Sequence, residues 1–268
     1  MGLLKEKNCL VFGVANRHSI AWSIAKAFAE QGAQIGIGYG LERLARRVTP
    51  LAQSIDAAFA LKCDVSQDDE LDAFFDHVQQ TMPEGIDVMV HSLAYAERDD
   101  LSGAFVDTSR QGFSTALDVS AFSLIALCQR ARPLMKAGGS VISMTYIGAE
   151  RVVPNYRVMG PTKAALESTI QYLAHELGPA GIRVNGISAG PIKTLAASGI
   201  PGFKSLLKAT AHLNPLRRMI NGEDIAGTGL FLASSLSAGV TGEIIHVDGG
   251  YHILAAYDAL PDRTPTDQ

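Results

Sequence analysis

The chain has 268 residues, 47% of them hydrophobic and 19% charged, with a formal net charge of −4 and a pI near 6.0. This is an ordinary globular balance with enough apolar residues for a sizeable core. It excludes the strongly basic surface that nucleic acid or an anionic membrane would require.

The first strand candidate is the apolar run at 8–12, followed by a helix at 19–31 and a second strand at 33–39. A helix at 41–53, a strand at 58–63 and a helix at 69–81 come next. Strands are expected at 86–92, 140–145, 182–188 and 243–248, and helices at 113–136, 157–177 and 223–233. Each strand candidate is apolar throughout rather than alternating, the pattern of strands buried on both faces. The βαβ rhythm predicts an α/β fold: a single-domain, Rossmann-like, doubly wound seven-stranded parallel sheet with helices on both faces. That domain is expected to span 1–256, with the polar, proline-containing end 257–268 frayed. Segment 195–218 breaks the rhythm and carries Pro201, Gly202 and Pro215, as lids and binding loops do.

Cys9, Cys63 and Cys128 lie far apart with no metal-ligand spacing. Cys9 and Cys63 fall in strand-like runs and read as reduced core thiols. The N-terminal MGLLKE has Glu6 where myristoylation needs Ser or Thr, and no secretory pattern is visible. No apolar stretch comes near the roughly 20 residues of a membrane span. A soluble, cytoplasmic protein with no membrane partner is therefore expected.

Strand one runs into "GVANRHSIAW", a glycine, a turn and a helix start, the place where a doubly wound fold receives a pyrophosphate. The glycine fingerprint is partial: Gly13 is present, but Ser19 and Ala21 stand where glycines are usual. Ser19 is expected to cap the helix and to reach a phosphate. Asp64, just past strand three, could accept from an adenine amino group. Ser92 and Ala94 follow strand four, and "SAGPIKT" follows strand six. All lie at the carboxyl edge of the sheet.

Tyr156 precedes Lys163 by seven positions, two helical turns, so both side chains are expected on one face. A lysine at a nicotinamide ribose would hydrogen-bond its hydroxyls and lower the pKa of a neighbouring phenol from about 10. The phenol could then donate to an oxygen gaining negative charge. The plainer alternative is an exposed helical lysine and a packed tyrosine.

With these residues in view, the chain resembles the short-chain dehydrogenase/reductase superfamily. More narrowly, it is similar to the bacterial NADH-dependent enoyl-acyl-carrier-protein reductases. The resemblance runs from "GVANRHSIAW" to "GEIIHVDGG" and is most specific in "AERVVPNYRVMGPTKAALE" and "AGPIKTLAASGI". It implies reduction of the trans-2 double bond of enoyl thioesters on acyl carrier protein, in fatty acid biosynthesis. It implies catalytic roles for Tyr156, Lys163 and Tyr146. Cofactor contacts are implied for Gly13, Ser19, Ile20, Asp64, Val65, Ser92, Leu93, Lys163, Ile192 and Thr194. Ala96, Tyr146 and Tyr156 are implied to meet the substrate, under a lid at 195–210.

The alternative within the superfamily is a carbonyl (3-ketoacyl or alcohol) reductase. Its serine would fall at Ser143, thirteen positions before Tyr156. In the enoyl reductase reading Ser143 lies back in the strand and Tyr146 takes the upstream position. A non-catalytic dinucleotide-binding sensor is the alternative from another class. It would have no need of Tyr156 and Lys163 together.

The turn after strand two has Gly40 and Glu42 but no basic pair, although Arg43, Arg46 and Arg47 follow. NADH is expected, with NADPH as the alternative. Lys204, Lys208, Arg217 and Arg218 are candidates to receive the acidic carrier protein. The resemblance also implies a homotetramer packed through the helices at 113–136 and 157–177.

Overall fold

The apolar runs become seven parallel strands: β1 (Asn8–Phe12), β2 (Gln34–Tyr39), β3 (Phe59–Lys62), β4 (Ile86–His91), β5 (Met135–Thr145), β6 (Arg183–Ala189) and β7 (Ile244–Val247). The computed structural model describes residues 2–193, 207 and 212–255. Thr194, Lys204, Lys208, nearly all of the expected lid and the tail 257–268 lie outside the described residues. The sheet order is β3-β2-β1-β4-β5-β6-β7. The order therefore reverses between β1 and β4, and the crevice at their carboxyl ends is where such sheets bind ligands.

Two cores sandwich the sheet. One lies under α1 (Ile20–Glu30), α2 (Ala45–Ser54) and the helix Gly222–Ala233. The other lies under α3 (Asp68–Thr81), α5 (Ser123–Ala131) and α6 (Met159–Leu177). The helix Gly222–Ala233, α7 in chain order, opens on a capping box in which Asn221 and Asp224 satisfy each other's backbone amides. Cys9 and Cys63 are free and buried, as expected, and so is Cys128.

The helix expected at 113–136 is not one helix. It consists of α4 (Arg110–Leu117), a π turn at Asp118–Phe122, α5, and a 3-10 turn at Arg132–Leu134. Strand β5 begins at Met135, five residues before its expected start, through a register shift opposite β4. Glycines 138 and 139 concealed that extension. The whole run Arg110–Leu134 is long and apolar enough to cross a membrane by length and a mean hydropathy of 1.3, against the sequence expectation. Half of that apolar window is buried inside the protein, as in a core helix. The helix expected from 41 starts at Ala45, after a 3-10 turn at Glu42–Leu44.

Candidate active site

The crevice is built first from backbone. Gly13 ends β1 with φ of 103°, and a Cβ there would stand 2.0 Å from the Ser92 carbonyl oxygen. Only glycine lets the ends of β1 and β4 approach this closely. Gly13→Ala is expected to cost ~1–3 kcal/mol of stability. It also displaces the turn expected to face the cofactor. A thermal melt and a NADH fluorescence titration check both effects.

Ser19 occupies the N-cap position of α1 but makes no side-chain cap bond. Its hydroxyl oxygen instead accepts from the amides of Ala15 and Asn16, at 3.0 and 3.1 Å. The cap expected from sequence is replaced by a loop staple. Two accepted bonds still leave the hydroxyl proton to donate. Ile20 follows at the first turn of α1. Asp64 accepts from the amide and hydroxyl of Ser66, while Val65 is buried. Ser92, Leu93 and Ala96 line the segment after β4, and buried Ile192 follows β6.

Tyr156 lies in the turn before α6, not on the helix, so helical periodicity does not set its direction. Its neighbours Asn155 and Arg157 hold φ of 66° and 47°, left-handed conformations that non-glycine residues adopt rarely. This double reversal carries the phenol into a small cluster with Val158, Met159, Ala116, Tyr146 and Ala96. The rings of Tyr146 and Tyr156 meet edge-on with centroids 4.8 Å apart. Gly148 lies flat against them: a Cβ at that position would come within 2.4 Å of the Tyr156 ring. A cavity of about 640 Å³ opens beside Tyr156, bounded by Phe105, the 148–157 loop and the start of α6.

Lys163 is buried, and its Nζ donates to the Met144 carbonyl at 2.8 Å. Burial pushes its pKa down to about 8, against the opposing pull of Glu167. The Tyr156 phenol is pushed well above its ordinary value by burial, with Tyr146 and Glu167 adding to the rise. This corrects the expectation that Lys163 depresses it. Desolvation dominates, and the ammonium is committed to Met144. Tyr156 is therefore a neutral donor throughout the physiological range.

Ser143 is fully buried in β5, bonded to His91 of β4. Proton accounting fixes that contact. The Ser123 hydroxyl donates to the Val119 carbonyl at 2.7 Å, so its oxygen accepts from His91 Nε2–H at 2.9 Å. His91 Nδ1 is then a lone pair, and the Ser143 hydroxyl donates to it at 2.8 Å. Burial holds the His91 pKa down at about 3, so the imidazole is neutral. Ser143 has no proton left for a substrate. Ser143→Ala is expected to retain enoyl reduction while losing ~1–3 kcal/mol of stability, because His91 Nδ1 is left unpaired in the core. Activity assays beside a denaturant melt measure both.

Sequence reasoning missed His91, Ser123 and Ser120. Ser120 accepts from the Tyr95 amide and donates to the Tyr95 carbonyl, at 2.9 and 3.0 Å, pinning the segment that carries Leu93 and Ala96. Ser120 and its neighbour Ser123 depend on the π turn, which has no signature in residue type. Of the four basic candidates for the carrier protein, Arg217 and Arg218 are described. Arg218 is engaged with both carboxylate oxygens of Asp224, and Arg217 with the His212 carbonyl.

A family model described as enoyl-(acyl carrier protein) reductase matches residues 13–252. The chain belongs to the enoyl-(acyl carrier protein) reductase family. It is 48% identical over 263 residues to enoyl-[acyl-carrier-protein] reductase [NADH] 1 of Rhizobium meliloti, covering 97% of this chain and 96% of that one. It is 49% identical to the NADH enoyl reductase FabI of Bacillus cereus, over 95% of this chain and all of the other. Among solved structures, the NADH enoyl reductase of Aquifex aeolicus superimposes with a TM-score of 0.93 at 44% identity, covering 96% of this chain and 100% of that chain. The B. cereus reductase, a complex with NADP+ and indole naphthyridinone, gives 0.93 at 49% identity over the same shares. The expected fold and family are both borne out.

Proposed function

We propose that this chain reduces the trans-2 double bond of enoyl-acyl-carrier-protein thioesters with NADH, as a step of fatty acid biosynthesis. The observation that carries the reading is the neutral, buried Tyr156, edge-on to Tyr146 and one turn ahead of the helix that holds buried Lys163.

The crevice fits a dinucleotide. Gly13 opens a cradle that a Cβ would fill, and Ser19 keeps a hydroxyl proton for a phosphate oxygen. Asp64 and Val65 would take the adenine, while Ile20, Ser92, Leu93 and Ile192 would line the path of the cofactor. Thr194 belongs to the same set by its place in the sequence. Lys163 would hold the nicotinamide ribose. When bound, NADH supplies the hydride that ends on the β carbon of the substrate.

Hydride addition at the β carbon moves the electron pair of the double bond onto the thioester oxygen as an enolate, and a proton taken up from solvent at the α carbon completes the reduction. Tyr156 donates a hydrogen bond to that oxygen, and its raised pKa keeps the proton in place while it does so. Tyr146 packs on the phenol and fixes its direction. Ala96, in the same cluster, leaves room for the acyl group. The residues around Tyr156 are mostly apolar, which thins the water around the developing charge and strengthens the bond. A carbonyl reductase would need a free donor at Ser143, and the His91 contact consumes it.

The carrier protein is the partner this substrate brings, and the cytoplasm is the compartment that three reduced, buried cysteines fit. Homotetramer assembly through the outer faces of the π turn, α5 and α6 is supported by exposed Phe122, Ile125 and Tyr172. A shallow cavity of about 290 Å³ lies between those two helices.

The test is oxidation of NADH, followed by absorbance, with crotonyl thioester and in parallel with acetoacetyl thioester. Turnover of the crotonyl substrate alone supports the reading. Turnover of the acetoacetyl substrate alone replaces it with carbonyl reduction. A run with NADPH checks the cofactor.

A further inference from the structure

The ammonium of Lys163 sits in a buried site, where it donates to the Met144 carbonyl. One helical turn further along α6, on the same face, stands Glu167. The next strand residue, Thr145, is buried and donates its hydroxyl to Glu167 Oε1 at 2.7 Å. Two adjacent residues at the end of β5 therefore grip two residues a turn apart on α6. Met144 takes the cation and Thr145 holds the anion. The carboxylate is aimed by this bond, since Glu167 is only partly buried and a glutamate in that setting otherwise turns to water.

We infer that Glu167, latched by Thr145, is a positioning residue that keeps Lys163 charged and seated at the cofactor ribose, and so sets the alkaline limit of the reaction. This rests on the function proposed above. Charge bookkeeping around the pair leaves Glu167 as the group that performs this task. In the turn before α6, Tyr156 is a neutral phenol with Tyr146 packed on it. From β4, His91 is a neutral imidazole. From the loop after β5, Glu150 acts on Glu167 rather than on the lysine, and it is paired with His246 at 2.8 Å. Burial drives Lys163 toward the neutral amine, and Glu167 is the opposing influence. Glu167 itself is raised by burial, with the Thr145 bond and Lys163 pulling it back down. Glu167 raises the pKa of Lys163 and Lys163 lowers that of Glu167, so each favours the charged form of the other.

The experiment compares wild type with Glu167→Gln, which keeps an acceptor for Thr145 and removes the charge. Two quantities are measured between pH 6 and 10: kcat with crotonyl thioester, and NADH affinity by cofactor fluorescence. The alkaline limb of both curves is expected to move about one pH unit toward neutrality. At low pH, where Lys163 is protonated in either protein, the curves should converge. Glu167→Asp should recover part of the shift. Thr145→Val, which keeps the charge but releases its aim, should fall between.

Superimposable limbs for wild type and Glu167→Gln overturn the inference, whatever happens to the absolute rate. A uniform fall in rate at every pH also overturns it, as the mark of a merely structural residue. The binding curve needs no turnover. An inactive wild type with shifted binding limbs would therefore sink the proposed reaction while sustaining this role for Glu167. If Glu167→Gln does not fold, the Thr145→Val limb decides: a shift supports the inference and no shift overturns it.

Discussion

Tyr156→Phe is expected to lower kcat for crotonyl thioester by ~10²–10³, about 3–4 kcal/mol of transition-state stabilisation, with little change in NADH affinity. Phenylalanine fills the same volume against Tyr146 and Gly148, so the edge-on pair and the bend through Asn155 and Arg157 survive. Only the donor is lost. In the proposed reaction the oxygen it serves becomes charged after hydride arrives, so the loss should fall on kcat rather than on substrate KM. Steady-state kinetics with a NADH fluorescence titration decides the matter. Equal kcat in the two proteins would mean that another group carries the charge on the thioester oxygen.

Lys163→Met is expected to abolish turnover and yet leave the apo protein at least as stable at pH 7. The sign comes from burial. The pKa of Lys163 falls from 10.5 to about 8 on folding, so folding favours the neutral amine. Keeping the ammonium in place at pH 7 costs about 3 kcal/mol relative to water. Methionine removes that cost and leaves the Met144 carbonyl without its donor, a loss of ~1–3 kcal/mol, while the partly exposed Glu167 loses the pull of the cation but keeps its Thr145 bond. The penalty in wild type is full below about pH 8 and fades toward 10.5, as the unfolded chain becomes the state that binds the extra proton. Across that window wild type should gain stability relative to Lys163→Met. Chemical denaturation at pH 7 and pH 10 measures both ends. A variant clearly less stable at pH 7 would show that Lys163 serves the fold rather than the reaction.

The sheet was readable because strands buried on both faces are written as unbroken apolar runs, and "NCLVF" or "IDVMVH" fits nothing else of that length between turns. Gly13 was readable for a related reason: a glycine at the end of strand one has few other uses in this topology. Tyr156 and Lys163 were found by spacing, but the geometry behind the spacing was misjudged. The direction of the Tyr156 phenol depends on two left-handed residues, and neither Asn155 nor Arg157 announces that in residue type. The depressed phenol pKa was misjudged because sequence gives proximity without burial, and desolvation decides the sign here. His91 and Ser123 were invisible. Their pairing across 32 positions exists only once β4 and the π turn are packed together.

The π turn at Asp118–Phe122 has a consequence for what this family member tolerates in evolution. One extra residue in a helical turn rotates everything after it by about 100° and advances it about 1.5 Å. Ahead of the turn, Ala116 of α4 faces Tyr156; beyond it, Leu124 and Leu127 of α5 face the sheet. One continuous helix would have to satisfy both frames with a single stripe. The bulge gives each half its own reading frame, so the half beside Tyr156 can drift in sequence while the half on the sheet stays fixed. The vulnerable change in this stretch is therefore a change of length rather than of letter. Loss of one residue among the five would leave every neighbouring side chain chemically intact and pointing the wrong way.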